Sequence, residues 1–167
     1  MSPSGFRSGS IKYCGNELEK TDSWVQASEI GFVMQKAESQ IVTDKVWHEM
    51  AFGLESLGYD TDEIRLRVSE MASFFGLQSW FYKDTNTLSG GQKQLLSLAS
   101  VMVLEPKILI LDEPTAQLDP ISAGDFMQML LKINCEFGTA ILVSAHNLEE
   151  VVPISDRIIV MENGRII

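Results

Sequence analysis

Apolar residues in this chain fall into two patterns, short uninterrupted runs and longer stretches with helical spacing. Residues 30–35, 107–111 and 139–144 are runs of the first kind. Each predicts a buried strand, covered on both faces in the case of 107–111, with Gln35 at the exit of the first. Residues 44–57 carry apolar positions at Val46, Met50, Ala51, Leu54 and Leu57, the period of a helix with one buried face, and Thr43 or Asp44 can cap it. Residues 61–75 repeat that period through Ile64, Val68, Met71, Ala72 and Phe75, with Thr61, Asp62 and Glu63 as the cap and Gly76 closing the helix. Ser89 is a good N-cap for a helix from Gly90 to about Leu104, which Glu105 and Pro106 stop. A further helix runs from Pro120 to Phe137 and ends at Gly138. Residues 147–152 predict a short helix. Residues 11–13 followed by Gly15 and Asn16 predict a short strand and a turn. Residues 157–161 and 165–167 predict a hairpin around Glu162, Asn163 and Gly164. Residues 1–10 show no pattern, and the aromatic run Trp80, Phe81, Tyr82 reads as core.

Strands alternating with helices predict an α/β fold with a parallel sheet. The helices between residues 44 and 87 have no strand among them, which predicts a separate helical lobe. There is no internal repeat and no low-complexity segment.

Composition narrows the partners more than the fold. A chain of 167 residues with 45% hydrophobic residues can bury a real core. A formal net charge of −10 argues against nonspecific nucleic-acid binding, which needs a basic face. It leaves nucleotides open, because backbone amides and a divalent cation bind phosphate on an acidic protein. Cys14 and Cys135 lie far apart and in no metal spacing, so they read as reduced structural thiols of a cytosolic protein. No apolar run has the length that spans a bilayer, so any membrane role comes through a partner rather than direct insertion.

The candidate chemistry lies between residues 88 and 120. Ser89, Gly90, Gly91 and Gln92 open a helix, whose free N–H groups and dipole suit phosphate. Asp112 and Glu113 end a strand, where adjacent carboxylates suit Mg²⁺ and a water that must lose a proton. The blander readings are a capped helix start and a strand that simply ends. Gln35 at a strand exit, Asp119 ahead of Pro120 and His146 behind a strand have ordinary structural readings as well. Trp47, His48 and the methionines Met50, Met71, Met127 and Met129 read as packing or partner surface.

These residues in this order resemble the ATP-binding cassette (ABC) transporter ATPases. Leu88 to Gln92 is similar to the signature motif, and residues 108–113 resemble the Walker B strand with its catalytic glutamate. Leu118 and Asp119 resemble the D-loop, His146 the switch histidine and Gln35 the Q-loop glutamine. Residues 40–55, with Gln40, Thr43, Asp44 and Phe52, resemble the energy-coupling factor importers of vitamins, cobalt or nickel. The resemblance implies a P-loop NTPase-like fold with a parallel-sheet core and a helical subdomain. Residues 1–167 would be one partial domain, with a helical subdomain at about 44–87 and core segments at 8–43 and 88–167.

The resemblance also implies roles. The cofactors are ATP and Mg²⁺. Asp112 holds the metal with Gln35 as its sensor, and Glu113 and His146 are catalytic. Ser89, Gly90, Gly91, Gln92 and Asp119, with Gln35, contact nucleotide, the signature residues doing so across a dimer interface. The implied partners are a second ATPase subunit, in a homo- or heterodimer, and a transmembrane coupling subunit. The implied location is cytoplasmic, peripheral on the inner face of the cell membrane.

The sequence departs from the family in two places. No Gly-Lys-Ser or Gly-Lys-Thr occurs, so the phosphate-cradling loop is absent. The nearest glycine-rich piece, residues 5–10, has Arg7 but no lysine. The expected reading is an N-terminally truncated domain that begins just after the P-loop helix. Leu95 also stands where the family usually has arginine. Two functions compete. In the first, the chain is a fragment of an importer's ATPase, inactive by itself. In the second, it is a non-hydrolysing regulatory module that donates its signature motif to a partner ATPase. A gene remnant is a third reading.

Overall fold

The computed structural model describes residues 8–167. Most of the segment read as patternless, including Arg7, lies outside the described residues. The chain opens with a small hairpin of β1 (Lys12–Tyr13) and β2 (Asn16–Glu17), turned by Cys14 and Gly15 at positive φ. Helix α1 (Ser23–Glu29), capped by Asp22, leads into β3 (Ile30–Val33). A single turn, α2 (Ala37–Gln40), precedes α3 (Val46–Ser56) and α4 (Thr61–Phe74). Then follow α5 (Gly90–Met102), β4 (Ile108–Asp112), α6 (Pro120–Phe137), β5 (Ala140–Ser144) and α7 (Leu148–Val151). The terminal hairpin pairs β6 (Met161–Glu162) with β7 (Arg165–Ile166).

The main sheet has three parallel strands in the order β3-β4-β5. Register places Val33 opposite Leu111, and Leu111 opposite Val143. These residues, with Gly31, Leu109 and Ile141, form the face that α5 and α6 cover. Gly31 is required there: a Cβ would overlap the Val101 side chain of α5 and press on Leu109 and Pro106. Leu96, Leu98, Met102, Phe126, Leu130 and Ile133 complete this side of the core.

The opposite face corrects the expectation of strands covered on both sides. Among the described residues no helix packs over it, and Phe32 is 48% and Leu142 59% exposed. The runs 107–111 and 139–144 yield the strands β4 and β5, each starting one residue later than predicted, yet β5 alternates between exposed and half-buried positions instead of being buried. Continuous apolar character made these strands look like interior ones.

The helices at 44–87 differ from expectation in their caps. Thr43 and Asp44 do not cap α3, whose N-cap is Lys45 with no side-chain hydrogen bond. Its first amides, Val46 N and Trp47 N, instead donate to the carbonyls of Lys83 and Phe81. This is a long-range answer to the orphan donors of a helix start. Helix α4 is capped by Asp60, one residue earlier than Thr61. Gly76 closes it at φ 69°. Of the aromatic run only Trp80 is buried, and Tyr82 is 78% exposed.

Helix α3 packs on α4 and α5 through Val46, Met50 and Leu54. Trp24 of α1 stacks on Tyr59, between α3 and α4, with ring centroids 6.5 Å apart, and the Arg67 guanidinium lies over the same tyrosine. The terminal hairpin is shorter than predicted. Ile158, Ile159 and Val160 are exposed and outside any strand, while Asn163 and Gly164 make the expected turn at positive φ.

Candidate functional site

The parallel register aligns the ends of β4 and β5, so Asp112 sits opposite Ser144. Ser144 Oγ donates to Asp112 Oδ1 at 2.8 Å and accepts from the Glu113 amide at 3.0 Å. The Ser144 carbonyl accepts from the same amide at 3.1 Å. These bonds hold Glu113 in the left-handed region, at φ 44°, where a residue with a side chain is uncommon.

Two further elements converge on that carboxyl. Gln35 Nε2 donates to Glu113 Oε2 at 2.8 Å, and His146 Nε2 lies 2.5 Å from Oε1. The Glu113 side chain is 25% exposed, whereas that of His146 is 88% exposed, so the histidine approaches from the solvent side. Each carboxylate oxygen has two lone pairs. One on each remains after these contacts, which leaves Glu113 able to accept a proton from water. The loop before Gln35 is braced: Met34 N donates to Gln40 Oε1 at 2.8 Å, and Gln94 Nε2 of α5 reaches the Met34 carbonyl at 3.5 Å.

No group of three or more His, Cys, Asp or Glu able to hold a metal occurs among the described residues. Asp112 Oδ2, however, has no protein partner among those residues. A single carboxylate oxygen suits Mg²⁺, which keeps several waters and takes its other ligands from phosphate. The donor set therefore fits Mg²⁺ bound with a nucleotide and does not fit a metal caged by protein alone. Gln35 reaches Glu113; no hydrogen bond joins it to Asp112.

The Gly-rich helix start forms a second place, a cleft lined by Ser89, Gly91, Gln92, Leu118 and Ser122. Ser89 and Gln92 make a reciprocal capping box, at 3.3 Å and 3.0 Å. Nothing lies within 4 Å of the place a Cβ would take at Gly90, so this backbone is open to a ligand. Asp119 caps α6 through the amides of Ile121 and Ser122. The Ser122 hydroxyl, followed by these amides, holds the Asp119 carboxyl below the usual aspartate range. Gln35, Asp112, Glu113 and His146 are thus brought together. Ser89, Gly91 and Gln92 face the start of α6 instead.

Sequence reasoning missed Ser144, Thr115, Asn147 and Glu150. Ser144 was within reach of it, because parallel strands of equal length bring their last residues side by side. The other three meet through side-chain bonds: Thr115 Oγ1 and Asn147 Nδ2 each donate to Glu150, at 2.7 Å. No local pattern announces that contact.

Residues 2–116 match the family model described as ABC transporter. A putative ABC transporter ATP-binding protein of Bacillus thuringiensis subsp. konkukian is 48% identical over 165 residues, which cover 99% of this chain and 30% of that protein. The energy-coupling factor transporter ATP-binding protein EcfA2 of Methanospirillum hungatei is 38% identical over 157 residues, covering 94% of this chain and 38% of the relative. The solved structure of cbiO1 from Clostridium perfringens, part of the ABC transporter complex cbiONQ, matches with a TM-score of 0.88 at 34% identity. It covers 100% of this chain, and this chain covers 66% of it. The chain therefore spans about 30% of the length of the first of these relatives. No helix of the described residues is long and apolar enough to cross a membrane.

Proposed function

This chain belongs to the ABC transporter family, and on that premise we propose that it is part of an ATP-hydrolysing subunit of an importer of the energy-coupling factor or cobalt type. The observation that carries the proposal is the Glu113 carboxyl, held between Gln35 and His146 beside Asp112. Bound Mg-ATP supplies the phosphoryl group to be attacked and the charge that the metal offsets. Glu113 takes the proton of the attacking water. His146 and Gln35 fix the direction of its lone pairs, and Ser144 holds the strand ends that carry Asp112 and Glu113. Ser89, Gly90, Gly91 and Gln92 present their open helix start to a nucleotide on a second ATPase subunit, with Asp119 bonded to Ser122 of the cleft wall.

The proposal divides the chain into a helical subdomain at about 44–87 and core segments at 8–43 and 88–167. A transmembrane coupling subunit receives the helical part, which puts the protein at the cytoplasmic face of a membrane. The similarity to EcfA2 and cbiO1 supports vitamin, cobalt or nickel uptake as the process served. The sequence holds no Gly-Lys-Ser or Gly-Lys-Thr, so the phosphate-binding loop must come from elsewhere for turnover.

The test measures phosphate release from Mg-ATP with that loop supplied, either in cis from flanking coding sequence or in trans by a complete ATP-binding subunit. Glu113→Gln is expected to lower release by about 10²-fold or more, the usual contribution of a general base. Release unaffected by Glu113→Gln overturns hydrolysis by this chain. The second reading, a module that donates only its signature residues, is favoured by the capping box at Ser89 and the open backbone at Gly90. It predicts that mixing this chain with a partner ATPase changes the partner's turnover, that Ser89→Arg abolishes the change and that Glu113→Gln leaves it.

A further inference from the structure

Glu150 has no place in the chemistry above, yet it joins the two segments that carry it. Its Oε2 accepts from the Thr115 hydroxyl at 2.7 Å, and its Oε1 accepts from the Asn147 side-chain amide at 2.7 Å. Thr115 lies two positions beyond Glu113, and Asn147 directly follows His146. Glu150 therefore closes a loop of contacts: Glu113 to His146 in front, Thr115 to Glu150 to Asn147 behind.

Such a brace is needed at this place. Helix α7 is a single turn of 4 residues, too short to be stable through its own hydrogen bonds. None of its residues is buried. The His146 side chain is 88% exposed, so packing does not orient it. Asp112 and Ser144 are different, because strand register already fixes them. The segment after β5 depends on polar contacts, and bonds to an ionised carboxylate are among the stronger ones available. Asn147 turns toward Glu150 while its Oδ1 accepts from Glu149 N at 3.2 Å, which ties the brace to the start of α7.

We infer that Glu150 is a positioning residue, a carboxylate that clasps Thr115 and Asn147 and so sets the distance between Glu113 and His146. The inference rests on the reading of Glu113 and His146 as the hydrolytic pair for its meaning, though the clasp itself is a matter of this chain's geometry. It identifies Thr115 as the clasp's anchor on the β4 side and Asn147 as its anchor on the β5 side.

The ring resonances of the two histidines, followed by NMR on the whole chain, test it. His48, which faces Glu55, is the internal reference. Glu113→Gln is expected to move the His146 resonances and leave those of His48 in place. In a Glu150→Ala background the same Glu113→Gln step is expected to move His146 at least severalfold less, because the histidine no longer reports on its partner. Thr115→Val removes one donor to the clasp without changing any residue of α7 and is expected to give the same loss of response. An undiminished His146 response in both backgrounds overturns the clasp. No nucleotide enters the measurement. A failure of the ATPase reading in the phosphate-release assay and a failure of the clasp are therefore separate results.

Discussion

Asp119 shows how a single side chain ties folding to pH. The Ser122 hydroxyl donates to its Oδ2 at 2.6 Å, and two backbone amides reach its Oδ1. Together they lower its pKa from 3.8 in the folded state. A carboxyl with a lowered folded pKa contributes stability that is fully present above the unfolded value and is lost as pH falls through the folded one. Denaturant midpoints measured from pH 5 downward should therefore fall with acidity below about 3.8, and Ser122→Ala should flatten that fall. A slope identical in the two proteins would show that Ser122 has no part in it. Asp119 was legible as a residue ahead of Pro120. Its partner Ser122 was equally close at hand, since N-cap bonds reach only two or three residues. Glu150 was harder to read, because its partner Thr115 lies 35 residues away along the chain.

Elements whose ends are settled locally were legible in the sequence. Helix α5 starts after Ser89 with its capping box, and α6 (Pro120–Phe137) is closed by Gly138, where φ is 68°. The start of α3 was not legible, because carbonyls from residues 81 and 83 satisfy it. Nor was the exposure of β5, since an apolar run does not reveal whether one face or both will be covered. Gly31 likewise looks unremarkable in a strand until α5 is laid against it. Gly31→Ala should cost about 1–3 kcal/mol, the usual range for overpacking a core, because Val101, Leu109 and Pro106 must give way. Chemical denaturation checks this, and Gly53→Ala is the control: its new Cβ would come no closer than 3.6 Å to Leu104. Helix propensity favours alanine at Gly53, so equal losses at the two glycines would show that overlap with Val101 is not what sets the cost at Gly31.

At the scale of the whole molecule, one side of the sheet carries a core and no helix among the described residues covers the other. Phe32 and Leu142 stand on the bare side, β5 is an edge strand among the described residues, and Ile158 to Val160 are exposed near the end of the chain. An open edge beside apolar surface invites association. Light scattering of the purified chain should show mass rising with concentration, and a Phe32→Lys, Leu142→Lys double variant should scatter as a monomer at the same concentrations. A wild-type chain that stays monomeric throughout would refute this. The net charge of −10 opposes the association and is screened by salt, so added salt should strengthen it. Fold class and element order were readable from periodicity. The bare face was not, because it is set by which elements cover which others.

The contact of Trp24 with Tyr59 makes the first tryptophan an optical gauge. Its indole sits on the helix that enters β3, the strand that leads to Gln35, and it stacks on the corner between α3 and α4. Arg67 lies 5.0 Å from the same tyrosine ring, so the indole's surroundings change in polarity whenever that corner shifts. With Trp47 and Trp80 replaced by phenylalanine, its emission wavelength would follow such a shift in real time, and the chain would need no attached dye.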